Sequence, residues 1–192
     1  MNVTDAIRER RTIRRFERKP VERDVLVSMV DLARLGPAAA NLQPLEYIIV
    51  DEDGPVDECF SLIRLGAFLS DDEKPVFDER PSAYIVILVN IEIMKNGYQW
   101  DVGAAGQNIM LEAIARGLGS CFIANVDREG MAKLLSIPEG YCIDAVIALG
   151  HPAERAVVID ASGRDMRYYR EPDGTHTVPK RRREDILHIN RF

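Results

Sequence analysis

Cysteine, tryptophan, histidine and long apolar runs are all scarce in this 192-residue chain, and each scarcity excludes something. Cys59, Cys121 and Cys142 are an odd number, lie far apart and form no C-x-x-C pair. Neither a disulfide framework nor a zinc site is indicated, and buried reduced thiols are the simpler reading. No stretch approaches the roughly 20 apolar residues of a membrane span; the best candidates are Ala83–Val89 and Ala145–Leu149. The N-terminus, MNVTDAIRERRTIRRF, carries charges where a secretory signal needs an apolar run. A cytoplasmic protein with no membrane partner is therefore expected. Net charge is -6, aromatics are 7%, and only Phe16 is interleaved with the N-terminal arginines, so no nucleic-acid partner is expected. G-x-G-x-x-G, the P-loop, G-x-S-x-G and H-E-x-x-H are all missing. The three histidines, His151, His176 and His188, lie in the last quarter without metal-ligand spacing. They read as polar surface or turn residues, and no metal is expected. Nothing supplies a nucleophile–base couple, so catalysis would rest on a cofactor.

What is present suits a single α+β domain over residues 1–192. Hydrophobic residues are 46% and charged residues 29%, and a folded chain of this length buries about 70% of its surface. Residues 3–9 read as a short helix capped by Asn2 or Thr4. Val25, Leu26, Met29, Val30 and Ala33 recur at helical spacing until Gly36-Pro37. Leu45–Val50 is a strand, and Val56, Phe60 and Ile63 mark a third helix closed by Gly66. Residues 67–82, charged and holding two prolines, read as an exposed loop or lid. Ala83–Asn90 suits a strand buried on both faces. Gln99–Leu118 is the longest helix, although Gly103-Ala104-Ala105-Gly106 opposes helix propensity and implies that another backbone packs close. Ser120–Ala124 and Cys142–Gly150 are strands flanking a helix at Asp127–Ser136. Beyond His151 the chain turns polar and tail-like, with a hairpin at Tyr168–Val178 around Pro172-Asp173-Gly174 and a last short helix at Arg183–Ile189.

Four segments carry candidate chemistry. Arg8, Arg10, Arg11, Arg14, Arg15, Arg18 and Lys19 crowd into twelve positions of an acidic protein. Guanidinium forks suit phosphate oxygens and ring carbonyls, though a solvated face paired with acidic neighbours explains the cluster as well. Gly36-Pro37-Ala38-Ala39-Ala40-Asn41-Leu42-Gln43-Pro44 offers small side chains and two carboxamides. Asn41 and Gln43 could read the edge of a planar heterocycle, or simply cap the preceding helix. Gly117–Asn125 lets a ligand approach main-chain N–H groups, or is an ordinary helix-to-strand link. Lys180-Arg181-Arg182-Arg183 is a basic run that is solvated or binds an anion.

In this order the segments resemble the nitroreductase family of FMN-dependent oxidoreductases. IRERRTIRRF is similar to the family's R-x-S-x-R/K entry, PAAANLQPLEYIIV to its P-S-x-x-N-x-Q-P-W segment, and DVGAAGQNIMLEAIARGLGSCFIANV to its central helix and following strand. ALGHPAE resembles its G-x-P strand end, and VPKRRREDILHINRF its basic C-terminus. Thr12 stands for the usual Ser, Ala38 for Ser and Leu45 for Trp. The resemblance implies an α+β sandwich with a central, mostly antiparallel sheet flanked by helices. It also implies a homodimer that exchanges its C-terminal arm and packs Gly103–Gly106 of two subunits together. FMN would be the cofactor, reduced by NADH or NADPH and reoxidised in ping-pong fashion by a small electron-poor acceptor such as a nitroaromatic or quinone. Arg10, Arg11 and Thr12 would hold the phosphate and ribityl chain, with Lys180 and Arg182 adding phosphate contacts. Arg14 would sit at the N1–C2 carbonyl edge. Pro37, Ala38, Ala39, Asn41 and Gln43 would line the ring, with Asn41 coming from the partner. Phe122, Ile123 and Ala124 would complete the site, the main chain at Ile123–Ala124 facing N5 and O4. The alternatives are a specialised relative, of reductive dehalogenase or dimethylbenzimidazole synthase type, and a non-redox nucleotide-binding protein.

Overall fold

Unbroken apolar runs build the centre of the molecule, for which a computed structural model describes residues 1–192 except 162 and 164. Ala83–Asn90 (β2) buries seven successive side chains, which strand alternation sends to opposite faces. Ala83, Ile85, Ile87 and Val89 enter one core; Tyr84, Val86 and Leu88 enter the other. β2 is central in an antiparallel sheet of order β1-β2-β4-β3, with β1 at Leu45–Val50, β3 at Gly119–Ile123 and β4 at Tyr141–Gly150.

Helices cover both faces. α2 (Arg23–Ala33) and α4 (Gln99–Ala115) lay Leu26, Met29, Ala33, Val102, Ala105 and Ile109 on the first core. α3 (Asp53–Leu62) and α5 (Arg128–Leu134) bring Val56, Cys59 and Met131 to the second. A fully buried Leu26 or Met29 contributes about 1.5–3 kcal/mol. α1 (Val3–Glu9) starts where the Asn2 side chain accepts from the Asp5 N–H at 3.0 Å. α4 stops three residues short of the expected Leu118, because Gly117 turns left-handed (φ 75°) and the Leu118 N–H closes on the Ala113 carbonyl at 2.8 Å. Residues 67–82 are less exposed than expected: Leu69 and Arg80 are buried, and a 3-10 turn forms at Phe77–Glu79.

The close packing expected of Gly103–Gly106 divides between the two glycines. A Cβ on Gly106 would lie 2.6 Å from the Phe122 ring, so β3 of the same chain explains that residue. Gly103 is exposed, and a Cβ on it would meet nothing within 4 Å among the described residues.

Residues 12–17 cover the free edge of β3, which the sequence did not foreshadow. Thr12 bridges Ser120, the Ile13 N–H donates to the Ser120 carbonyl at 2.9 Å, and Phe16 bridges Pro152. A Cβ on Gly119 or Gly150 would come within 2.9 Å of Ile13 or Phe16, so glycine leaves the room this cover needs.

The polar C-terminal region is more structured than its composition suggests. β5 (Ala156–Asp160), β6 (Tyr169–Arg170) and β7 (His176–Lys180) form a second sheet of order β5-β7-β6. The expected hairpin is β6–β7, closed by Gly174 (φ 84°). Of the expected helix at Arg183–Ile189 only a 3-10 turn at Arg183–Asp185 forms. Ile186, Leu187, Ile189 and Phe192 stay exposed, and a helix this short needs packing to persist.

Candidate functional site

The burial of residues 13, 14 and 16 decides where the cations go. Ile13 and Phe16 turn into the protein against Gly119 and Gly150. Arg14 is itself only 8% exposed. Its guanidinium lies 4.4 Å over the Tyr168 ring, and its Nη1 meets His176 Nε2 at 2.9 Å. A guanidinium only donates, so Nε2 accepts and the ring proton sits on Nδ1. Nε and Nη2 of Arg14 have no hydrogen-bond partner among the described residues.

The surroundings of Arg14 form a buried charged cluster that sequence reasoning missed. Glu154 accepts from the backbone N–H groups of Arg14 and Arg15 and pairs with Arg170 at 2.6 Å. Arg15 pairs with Glu79 at 3.2 Å and donates to the Glu73 carbonyl at 3.1 Å. His176, expected at the surface, is fully buried. Burial, reinforced by the Arg14 guanidinium, lowers it from 6.5 to about 4, so it is neutral. The one available signal was the hairpin itself, whose register sets Arg170 opposite His176.

The other expected residues are distributed as follows. Arg10 is half-buried, and desolvation alone lowers its pKa, the condition of a cation lacking a counter-charge. Arg11 Nη2 instead closes the end of α1, donating to the carbonyls of Ile7 (3.3 Å) and Arg8. Pro37–Gln43 form a strained loop in which Ala40, Asn41 and Gln43 have φ of 49°, 56° and 52°. Left-handed backbone costs non-glycine residues energy and concentrates at functional sites. The buried Asp101 carboxylate anchors this loop, accepting from the Ala39 N–H at 3.1 and 3.3 Å, while Asn41 and Gln43 face outward. A cavity of about 170 Å³ beside it is lined by Pro37, Ala38, Gln43 and Asp101 but by none of Arg10–Arg14. On β3, Phe122 packs on Gly106, Ile123 is buried, and exposed Ala124 gives its carbonyl to Arg128 at 3.1 Å. Lys180 ends β7, and Arg182 pairs with Asp185 at 3.2 Å. The chain thus brings Arg14 to the C-terminal sheet, while loop 37–43 is anchored on α4.

A nitroreductase family model matches residues 7–151, which takes in the N-terminal cover, both cores and all four strands of the main sheet. The chain belongs to the nitroreductase family. A protein of Methanothermobacter thermautotrophicus, provisionally named NADH dehydrogenase/NAD(P)H nitroreductase, is 32% identical over 159 residues, covering 80% of this chain and 79% of that one. A similarly named crystal structure from Parabacteroides distasonis covers all of both chains with a TM-score of 0.75 at 21% identity, which extends the likeness of fold to the second sheet. A provisionally named nitroreductase from Desulfovibrio desulfuricans, solved in complex with FMN, is 27% identical with a TM-score of 0.65, covering 80% of this chain and 88% of that one. No helix among the described residues is long and apolar enough to cross a membrane, and none of their His, Cys, Asp and Glu side chains cluster as metal ligands.

Proposed function

We propose that this nitroreductase-family protein is an FMN-dependent oxidoreductase that takes reducing equivalents from NADH or NADPH and passes them to a small electron-poor acceptor. The carrying observation is Arg14: a nearly buried cation that, among the described residues, pairs with no carboxylate and has two nitrogens free to donate. That donor set fits a ring carbonyl edge of growing negative charge. Bound there, FMN would supply hydride acceptance and delivery, chemistry that no side chain here provides.

The chain's own residues bind, orient and exclude water. Arg10, short of a counter-ion, and Thr12 would hold the phosphate and ribityl chain. Arg11 is engaged at the end of α1, so it contributes to the phosphate through its charge. Lys180 and Arg182 would add to the same field. Pro37, Ala38 and Ala39 would shield the ring from water, with Asn41 and Gln43 offering carboxamides held outward by the loop's strained backbone. Phe122, Ile123 and Ala124 would present main chain at the other edge.

A homodimer makes sense of the separation between Arg14 and loop 37–43. Trp100, Ile186, Leu187, Ile189 and Phe192 are exposed. An apolar groove of about 350 Å³ lined by Val3, Ala6, Leu32, Leu35, Leu111 and Ala115 is available to receive a partner's arm. The test is a visible spectrum after FMN reconstitution and desalting, followed by NADH or NADPH under argon. A retained spectrum that bleaches supports the reading, and a colourless protein refutes it. Arg14→Ala should weaken FMN retention and slow bleaching; an unchanged rate would remove Arg14 from this role.

A further inference from the structure

The Arg14 guanidinium is held from the far end of the chain. Its Nη1 meets His176 Nε2 across a separation of 162 residues, and Tyr168 covers one face of its plane. Tyr168 also packs on the His176 ring at 5.1 Å between centroids. One fixed nitrogen and one covered face leave a planar fork a single orientation, so its remaining donors point one way. His176 is fixed in turn, fully buried on β7, its N–H bonded to the Arg155 carbonyl at 2.8 Å and its Cα opposite both Ala156 and Arg170.

The choice of acceptor matters for charge. The nearby carboxylates have other cations: Glu154 pairs with Arg170 and Glu79 with Arg15. Arg14 is left to a neutral imidazole, which fixes its direction without cancelling its charge. A carboxylate in the same place would hold the fork equally well and discharge it.

We propose that His176 is a positioning residue of the cofactor site, holding Arg14 as an oriented, unneutralised cation and so raising the preference of the site for reduced over oxidised FMN. The inference rests on the reading that Arg14 meets the flavin. His176 touches no reacting atom; it acts through Arg14.

The experiment compares FMN-reconstituted wild type, His176→Gln and His176→Phe by FMN dissociation constant and by midpoint potential. Glutamine keeps a neutral acceptor and should match the wild type. Phenylalanine fills the space without an acceptor and should lose about tenfold in preference for reduced FMN, read as a potential lowered by about 30 mV for a two-electron couple. Should the phenylalanine variant fail to fold, nitrogen NMR of wild-type histidine carries the test, with a neutral ring protonated on Nδ1 expected at pH 7. An unchanged potential in a folded His176→Phe protein overturns the positioning role. So does a glutamine variant that falls with phenylalanine, or a wild-type ring protonated on Nε2. A wild type that retains no FMN overturns the reading of the site itself and takes the inference with it.

Discussion

Replacing Arg170 by leucine tests whether the second sheet is fastened to the body by charge. The Arg170 side chain is 6% exposed and its partner Glu154 2%, with 2.6 Å between them. Arg170 also donates to the carbonyls of Glu73 (3.3 Å) and Gly174 (3.1 Å), joining loop, hairpin and strand end. Leucine would strand a buried carboxylate, a change that costs about 3–5 kcal/mol. Glu154 keeps two backbone donors, Arg14 and Arg15, so the lower end, about 3 kcal/mol, applies. For a chain of this size that is a fall in Tm of about 6–12 °C. Urea and thermal denaturation of Arg170→Leu, Glu154→Leu and the double variant give the coupling between the two. The double variant should cost less than the sum, since neither charge is then left alone. Amide exchange along β7 reads whether the loss is local. A loss below about 1 kcal/mol, the worth of an exposed ion pair, would refute the argument.

Gly106→Ala drives a Cβ into Phe122, and about 1–3 kcal/mol of overpacking outweighs the roughly 1 kcal/mol gain in helix propensity, so the urea midpoint should fall. Gly103→Ala meets nothing within the chain and should raise that midpoint unless a partner helix occupies the position, in which case light scattering should show a weakened dimer. Asp101→Ala removes the acceptor of the Ala39 N–H and should cost about 1–2 kcal/mol, admit protease to residues 36–44 and loosen FMN. Undiminished FMN retention in that variant would separate the strained loop from the cofactor. The depressed pKa of His176 means that the unfolded chain binds its proton first as pH falls. Its contribution to stability is therefore complete above pH 6.5 and is lost progressively toward about pH 4. Urea titrations over that range should show a steeper decline for wild type than for His176→Gln, and parallel curves would remove His176 as the cause.

Legibility in the sequence followed the physics of each element. The bounds of β1 and β2 match the expected Leu45–Val50 and Ala83–Asn90, because mostly apolar, β-branched residues between turn formers leave few other solutions. α1 and α2 were announced by Asn2 and by Gly36-Pro37. Of the second sheet only the β6–β7 hairpin was, through Pro172-Asp173-Gly174; the rest has low apolar content and its strongest fastening is a buried ion pair. Neither Glu154 nor Arg170 carries a pattern that distinguishes it from a surface charge, and β5 pairs in parallel with β7 rather than with β6, its neighbour in sequence. The cationic N-terminus was conspicuous, but composition could not divide it. Arg14 and Arg15 enter the interior, Arg11 closes a helix, and Arg10 pairs with no carboxylate among the described residues. For Arg14 that placement depends on Glu154, Tyr168 and His176, which lie far away in sequence.

The same separation bears on how the protein is made. Residues 12–17 lie against strands and loops more than 60 positions later: Phe16 bonds to Glu79, Glu17 to His151, and Arg14 to His176. Local helices and the β6–β7 hairpin can form early, but closing loops of this length is slow and waits on distant chain. During synthesis Arg14 therefore emerges well before Glu154, Tyr168 and His176, and remains without them until that part of the chain follows. The orientation that His176 and Tyr168 give the Arg14 guanidinium thus waits on contacts more than 150 positions away.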